Sequence, residues 1–271
     1  MPLAPRPPAF RGRREPIMAR PRVARTSPSA GIALILAARP SLRGMAPLPA
    51  QPIGGRPMLH HVLGVAAQVF DRAILVIGPE MADLPLPPPP HRTLVQHERR
   101  GAAHAALQAA PLLAGFRGDT AVIRGDLPRL SAATLRSLRD ARRDGADLAL
   151  LAFRPVRPAP LARVVACPDT GLVDRVVPWA EASAAERAIG LCDAGVLCAR
   201  SVDLVRWLRA VRPADARGEL RLTDIVAVAR DEGRQVIAIE GPAAELTPLD
   251  TPEALIEAAA LDRLSRHLKA A

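Results

Sequence analysis

Gly31-Ile32-Ala33-Leu34-Ile35-Leu36-Ala37-Ala38 is followed at once by Arg39-Pro40-Ser41-Leu42-Arg43. A run of this length, apolar throughout and ended by a breaker, reads as a buried strand. In open α/β sheets ligands bind beyond the carboxyl ends of the strands, so the loop from Arg39 to Arg43 is the first place to look for a site.

The chain beyond this strand alternates between strand and helix patterns, as in a mostly parallel sheet. Residues 57–69 carry helical spacing, Ala73 to Gly78 (AILVIG) is a second buried strand, and Leu84 to Pro90 (LPLPPPP) is an extended connection. A short strand is expected at Thr93 to Gln96, a helix from Gly101 to Leu113, and a strand at Thr120 to Ile123 that ends in Arg124-Gly125-Asp126-Leu127-Pro128. Ser131 caps a helix to about Arg143, and Asp147 to Phe153 (DLALLAF) is the next strand. Arg163 to Val177 reads as an antiparallel hairpin turning at Pro168-Asp169-Thr170-Gly171. A short helix (183–189), a strand (191–199), two helices (202–211 and 222–231) and a last strand (235–240) follow, and Thr251-Pro252-Glu253 opens a closing helix to about Leu268. The fold class is therefore α/β, a Rossmann-like, mostly parallel mixed sheet flanked by helices, with a small antiparallel insertion.

The 271 residues suffice for one such domain, assigned to residues 30–271. The net charge of +10 suggests nucleic acid until its distribution is read. Residues 1–29 hold seven arginines against Glu15, and with seven prolines and few large apolar groups they are expected to be a disordered Arg/Pro-rich tail. Only Phe10 is available there for stacking on bases, so no nucleic-acid partner is expected. Lys269 is the one lysine among 37 basic residues, a bias toward arginine that fits a GC-rich genome. Cys167, Cys192 and Cys198 lack metal-ligand or disulfide spacing, and no run is long enough to span a bilayer, which together suggest a cytoplasmic protein.

Two carboxylates follow strands at the expected site edge. Asp126 sits in Gly125-Asp126-Leu127-Pro128 and Asp250 in Leu249-Asp250-Thr251-Pro252. Either alone could be a turn or cap residue, whereas the two together on one sheet edge could hold a divalent ion. Gln96 and Gly101-Ala102-Ala103-His104-Ala105 place small residues at a helix start, where a ligand could approach backbone N–H groups.

In this order the segments resemble the uridylyltransferase domain of bacterial N-acetylglucosamine-1-phosphate uridylyltransferase, within the sugar-nucleotidyltransferase superfamily. The resemblance covers roughly Ile32 to Ala260. The family's L-A-A-G-x-G-T-R-M is matched by Leu36-Ala37-Ala38-Arg39-Pro40-Ser41-Leu42-Arg43-Gly44, and its G-K-P-M-like step by Gly55-Arg56-Pro57-Met58. Its Q-x-x-x-x-G-T-x-H-A is matched by Gln96 to Ala105, its G-D-x-P by Gly125 to Pro128, and its A-x-G-E-x-x-L-T-D-I by Ala216 to Ile225.

The resemblance implies transfer of a nucleotidyl group, uridylyl in that family, from a nucleoside triphosphate to a sugar-1-phosphate of the N-acetylglucosamine-1-phosphate kind, with release of pyrophosphate. It implies nucleotide binding by Leu36, Ala37, Ala38, Arg39, Gln96, Gly101 and Ala102, and stabilisation of the triphosphate by Arg43 as the catalytic arginine. It places Gly125, Ala162 and Asp193 on the sugar-phosphate side and Asp126 and Asp250 as ligands of Mg²⁺. The expected partners are the two substrates, with no membrane.

Departures from the pattern are specific. Arg39, Ser41 and Leu42 replace the Gly, Gly and Thr of the phosphate loop, and Ala50 stands where the P-K lysine belongs. Pro178 replaces a glutamate, Asp193 the Asn of N-T-G (here Asp193-Ala194-Gly195), and Ala162 the glycine before Arg163. These changes leave two alternatives beside the active transferase: a catalytically impaired nucleotide-sugar-binding or regulatory homologue, and a molybdenum-cofactor cytidylyltransferase-like enzyme, against which the 218–225 segment argues. Bifunctional members of the family continue into hexapeptide repeats; the chain shows none, so neither acetyl transfer nor the repeat-built trimer is expected.

Overall fold

The computed structural model describes residues 30–39, 46–83, 91–156, 160–213, 218–258 and 260. The apolar run forms β1 (Gly31–Ala37), and the segment after the phosphate-loop position folds into a small hairpin, β2 (Pro52–Ile53) with β3 (Arg56–Pro57). Gly54 and Gly55, both at positive φ (59° and 85°), make its two-residue turn. The chain then runs through α1 (Met58–Ala66), β4 (Arg72–Ile77), β5 (His91–Val95), α2 (Ala102–Leu107), α3 (Ala110–Leu113), β6 (Asp119–Arg124), α4 (Ala132–Arg143) and β7 (Leu148–Phe153). β8 (Arg163–Ala166) and β9 (Val173–Val177) are the antiparallel pair, followed by α5 (Ala184–Arg187), β10 (Cys192–Arg200), α6 (Ser201–Ala210), α7 (Ile225–Asp231), β11 (Val236–Glu240) and α8 (Ala243–Leu246).

The main sheet has the order β11-β7-β10-β6-β1-β4-β5, with β8 and β9 attached beside β10. All neighbours in the main path are parallel except β10, which runs antiparallel to both β6 and β7. The reversal puts the start of β10 at the same edge as the ends of β1 and β6, an arrangement that matters for the site. Asp193, near the beginning of β10, lies beside Ala152 near the end of β7, and Leu36 of β1 lies level with Arg124 of β6.

β1 is buried on both sides because side chains alternate along a strand. Ile32 and Leu34 join the core under α2, α6 and α7, while Ala33, Ile35 and Ala37 join the opposite core under α1 and α4. Leu34 and Ile35 are fully buried, and each such side chain contributes roughly 1.5–3 kcal/mol. A third, smaller cluster joins Leu48, Ile53 and Met58 to Leu249 and Ala258, tying the hairpin region to the segment that carries Asp250.

One expectation needs correction. The helix expected from Gly101 to Leu113 is broken into α2 and α3, and the break precedes Pro111, which lacks an N–H to continue the ladder. The short hairpin β2–β3 and helix α8 carry too few residues for periodicity to reveal them. The closing helix begins as expected, with the Thr251 hydroxyl accepting from Ala254 N at 3.1 Å, and is described through residues 252–258; the remainder to Leu268 lies outside the described residues, apart from residue 260. Residues 1–29, the 84–90 connection and Arg43 also lie outside them. None of the described helices is long and apolar enough to cross a membrane.

Candidate active site

Four segments deliver side chains to one point at the carboxyl edge of the sheet. β1 delivers Arg39, β6 delivers Arg124, Gly125 and Asp126, the start of β10 delivers Asp193 and Gly195, and the segment after α8 delivers Asp250. The backbone fixes their approach. Gly125 N donates to Leu36 O at 2.9 Å, and a Cβ on Gly125 would lie 3.0 Å from Ala37 Cβ, so this glycine lets the β6 end close against β1. Leu249 N donates to Asp126 O at 3.0 Å, which brings Asp250 alongside Asp126.

Asp126, 4% exposed in its side chain, is held by a two-pronged arginine: Arg124 Nε donates to Oδ1 at 2.8 Å and Nη2 to Oδ2 at 2.7 Å. Arg124 Nη2 also reaches Asp250 Oδ2 at 3.1 Å. Arg39 Nη1 completes the cluster, donating to Asp250 Oδ2 at 2.6 Å and to Asp126 Oδ2 at 3.3 Å. Burial pushes the Asp126 carboxyl up, but the charges and hydrogen bonds of Arg124 and Arg39 together outweigh burial and hold it below the ordinary range. Burial likewise opposes the charge on Arg124, and its two carboxylate partners more than restore it. Both groups are ionised.

Arg124 is seated on Gly195. That glycine has φ of +69°, and a Cβ there would fall 2.6 Å from Arg124 Cδ, so both its conformation and the passing arginine require the absence of a side chain. Its N–H is accepted by Asp193 Oδ2 at 3.0 Å. Burial pushes Asp193 up to about 6, against the opposing effects of that hydrogen bond and the Arg124 charge. Asp193 N in turn donates to Ala162 O at 3.0 Å, so Gly125, Ala162 and Asp193 stand on the side of the cluster next to β10.

The base-side residues form a second group. Gln96, 3% exposed, donates through Nε2 to Gly101 O at 3.5 Å and lies 2.8 Å from His104 Nδ1. Gly101 has φ of +91°, and a Cβ there would lie 2.5 Å from Leu220 O. Leu220 N donates to Arg100 O at 2.8 Å, and Leu220 O accepts from Ala103 N at 2.9 Å, so the Gly218–Ile225 motif docks on the Gln96–Ala105 motif. Of the amides at this helix start, the Ala103 N–H is thereby already bonded. Leu36, Ala37 and Ala38 end β1 between the two groups, with Ala37 and Ala38 buried.

The structure thus brings Arg39, Gly125, Asp126, Asp193 and Asp250 together, and holds Gln96, Gly101 and Ala102 as a separate group after β5, which β4 separates from β1 in the sheet. Arg124 is the residue that sequence reasoning missed. Its signal was present: an arginine two positions before Asp126, separated from it by a glycine, can fold back onto the carboxylate. By residue type Asp126 and Asp250 suit Mg²⁺, which takes one or two carboxylates with substrate phosphates. By arrangement they do not: both Asp126 oxygens and the facing oxygen of Asp250 accept guanidinium N–H bonds. No group of three or more His, Cys, Asp or Glu side chains suited to a metal occurs among the described residues.

Comparison with known proteins finds relatives in sequence and in fold. The family described as "MobA-like NTP transferase domain" matches residues 33–194. "Bifunctional protein GlmU" of Gluconacetobacter diazotrophicus is 47% identical over 225 residues, covering 81% of this chain and 48% of that protein. The protein of the same name from Granulibacter bethesdensis is 41% identical over 249 residues, covering 90% and 55%. The chain therefore spans about half the length of these curated relatives. Among solved structures, a UDP-glucose pyrophosphorylase complexed with UDP-glucose superposes with a TM-score of 0.68 at 14% identity, covering 87% of this chain and 99% of that one. The 4-diphosphocytidyl-2C-methyl-D-erythritol synthase of Anaerococcus prevotii gives 0.61 at 17% identity, covering 87% and 99%. At these identities the structural likeness concerns the fold, and the mixed, mostly parallel sheet is common to them.

Proposed function

Because this chain belongs to the MobA-like NTP transferase domain family, we propose that it transfers a nucleotidyl group from a nucleoside triphosphate to a sugar-1-phosphate, releasing pyrophosphate. An oxygen of the sugar phosphate attacks the α-phosphorus in line, the bond from that phosphorus to the β-phosphate oxygen breaks, and the electron pair leaves with pyrophosphate. Uridylyl transfer to an N-acetylglucosamine-1-phosphate-like acceptor is the specific form, supported by the similarity to GlmU proteins and by the Gln96–Ala105 and Gly218–Ile225 motifs. Those similarities favour the transferase over both a binding-only homologue and a molybdenum-cofactor cytidylyltransferase.

The observation that carries this reading is convergence: the segments after β1, after β6 and after α8 meet within hydrogen-bond reach at one sheet edge, and the start of β10 packs against Arg124 through Gly195. Leu36 to Ala38 and Gln96, Gly101 and Ala102 would bind the nucleotide, Arg39 and Arg43 its phosphates, and Gly125, Ala162 and Asp193 the acceptor. Catalysis in such a reaction consists largely of positioning and of offsetting charge on phosphate oxygens. Mg²⁺, which the resemblance implies, would supply such charge at Asp126 and Asp250, but the guanidinium groups already bound there do not fit it. Incubation of the purified full chain with UTP and N-acetylglucosamine-1-phosphate, and with a panel of other triphosphates and sugar phosphates, should release pyrophosphate. Absence of release from every pair would overturn the proposal.

A further inference from the structure

We infer that the guanidinium groups of Arg39 and Arg124 take the place of a divalent cation between Asp126 and Asp250, so that the chain binds its nucleotide without a metal ion held by these carboxylates. The inference rests on the transferase reading for the identity of the ligand, but not for the state of the carboxylates.

Charge is the first support. Two carboxylates and two guanidinium groups sum to zero, which is the balance that a divalent ion would otherwise provide. The positions agree as well. Arg39 Nη1 lies 2.6 Å from Asp250 Oδ2 and 3.3 Å from Asp126 Oδ2, bridging the two oxygens that a shared cation would bridge. Mg²⁺ needs oxygen ligands at about 2.0–2.1 Å in near-octahedral geometry, and the space between Asp126 Oδ2 and Asp250 Oδ2 that it would need is taken by Arg39 Nη1.

Arg124 is not free to leave. It is bound at two points to a nearly buried carboxylate and lies over Gly195, where any side chain would collide with it. A cation entering between the aspartates would therefore have to expel Arg39 and then sit beside the remaining guanidinium charge. At the position of Arg39 the resembled pattern has glycine, which would leave this space open; here a long cation fills it. Arg39 spends only Nη1 on the two aspartates among the described residues, and its side chain is 56% exposed. That exposure leaves phosphate oxygens room to approach its guanidinium in charge-assisted pairs.

The test uses Mn²⁺ as a paramagnetic probe together with a non-hydrolysable UTP analogue, α,β-methylene-UTP, on the full chain. Electron paramagnetic resonance should show no Mn²⁺ site in the wild type that Asp126→Asn removes. Thermal stabilisation by the analogue should be the same in EDTA as in Mg²⁺. Arg39→Gly should bind Mn²⁺ at least about tenfold more tightly than the wild type, because a unit positive charge beside the ion is removed. A wild-type Mn²⁺ site as tight as that of Arg39→Gly and abolished by Asp126→Asn would overturn the inference, as would analogue binding that requires metal. If the analogue stabilises neither protein in any condition, the transferase reading fails, while the Mn²⁺ titrations without nucleotide still decide the state of the carboxylates.

Discussion

Replacing Asp126 by Asn probes the cluster with the least change of shape. Asn keeps the volume and one acceptor but removes the charge that holds Arg124, and it leaves three cationic or polar partners arranged around a single remaining carboxylate, Asp250. Removing one partner of a buried ion pair typically costs ~3–5 kcal/mol. Here Arg124 retains Asp250 at 3.1 Å and is 27% exposed in its side chain, so the expected loss is smaller, about 2–3 kcal/mol. In a domain of this size that corresponds to a fall in Tm of about 4–12 °C. Urea unfolding at neutral pH measures the loss, and Arg124→Gln with the double variant completes a cycle whose coupling should be about 1–2 kcal/mol. The pH dependence adds a second check. The folded carboxyl of Asp126 lies below its unfolded value near 3.8, so its contribution is present above that value and disappears as pH falls further; the gap between wild type and Asp126→Asn should close on acidification. A loss below ~0.5 kcal/mol at neutral pH with no coupling to Arg124 would show that the four residues do not act as a unit.

Asp193 behaves in the opposite sense. Its folded carboxyl is pushed up to about 6, above the unfolded value of 3.8, so the native state holds the proton longer and stability falls as pH rises between the two values. Asp193→Asn should remove that slope and raise Tm at pH 8 relative to wild type, by scanning fluorimetry; an unchanged slope would mean the carboxyl is solvated. Ser131→Ala removes the cap of α4, whose Oγ accepts from Thr134 N at 3.1 Å, and should cost ~1 kcal/mol in urea unfolding. Gly101→Ala places a methyl 2.5 Å from Leu220 O at a φ of +91°, and should cost at least ~1–3 kcal/mol and weaken nucleotide binding measured by calorimetry; a wild-type affinity would detach the Gly218–Ile225 motif from the base-binding loop.

Much of the fold was legible because its signals are local. An eight-residue apolar run can only be a strand buried on both sides in a chain of this kind, and β1 is that; Ser131 three residues before Thr134 announces the α4 cap, and both are where the sequence puts them. Legibility ended where two distant segments settle the outcome. The break between α2 and α3 turns on Pro111, visible in sequence, but the loss of the Ala103 amide to Leu220 depends on a residue more than a hundred positions away. The candidate site shows the same division. Asp126 and Asp250 could be picked out from strand ends and turn chemistry. Arg124, two positions before Asp126, carried a local signal, but Arg39 and Asp250 could not be joined to that pair from sequence, because they reach it only through the register of β1 with β6 and the return of the chain after α8.

Arg39 and Arg124 also make sense of each other. An arginine at the end of β1 facing an unpaired Asp126 and Asp250 would satisfy one charge and leave one carboxylate in excess; an arginine before Gly125 alone would do the same. With both present the cluster is neutral, and its inner members, Asp126 and Arg124, are bonded deeply enough to serve as a fixed floor. The outer member is then the adaptable one. Arg39 touches the floor through a single nitrogen and is the most exposed of the four, so an incoming phosphate can bond the rest of its guanidinium without breaking the Arg124–Asp126 pair. On this logic Arg39→Lys should fold normally yet bind nucleotide more weakly, because an ammonium presents a point charge that cannot bridge two carboxylates and reach a phosphate from the planar fork at the same time. Equal nucleotide affinity for Arg39→Lys and wild type, by calorimetry, would show that charge alone suffices at this position and that the fork geometry is not used.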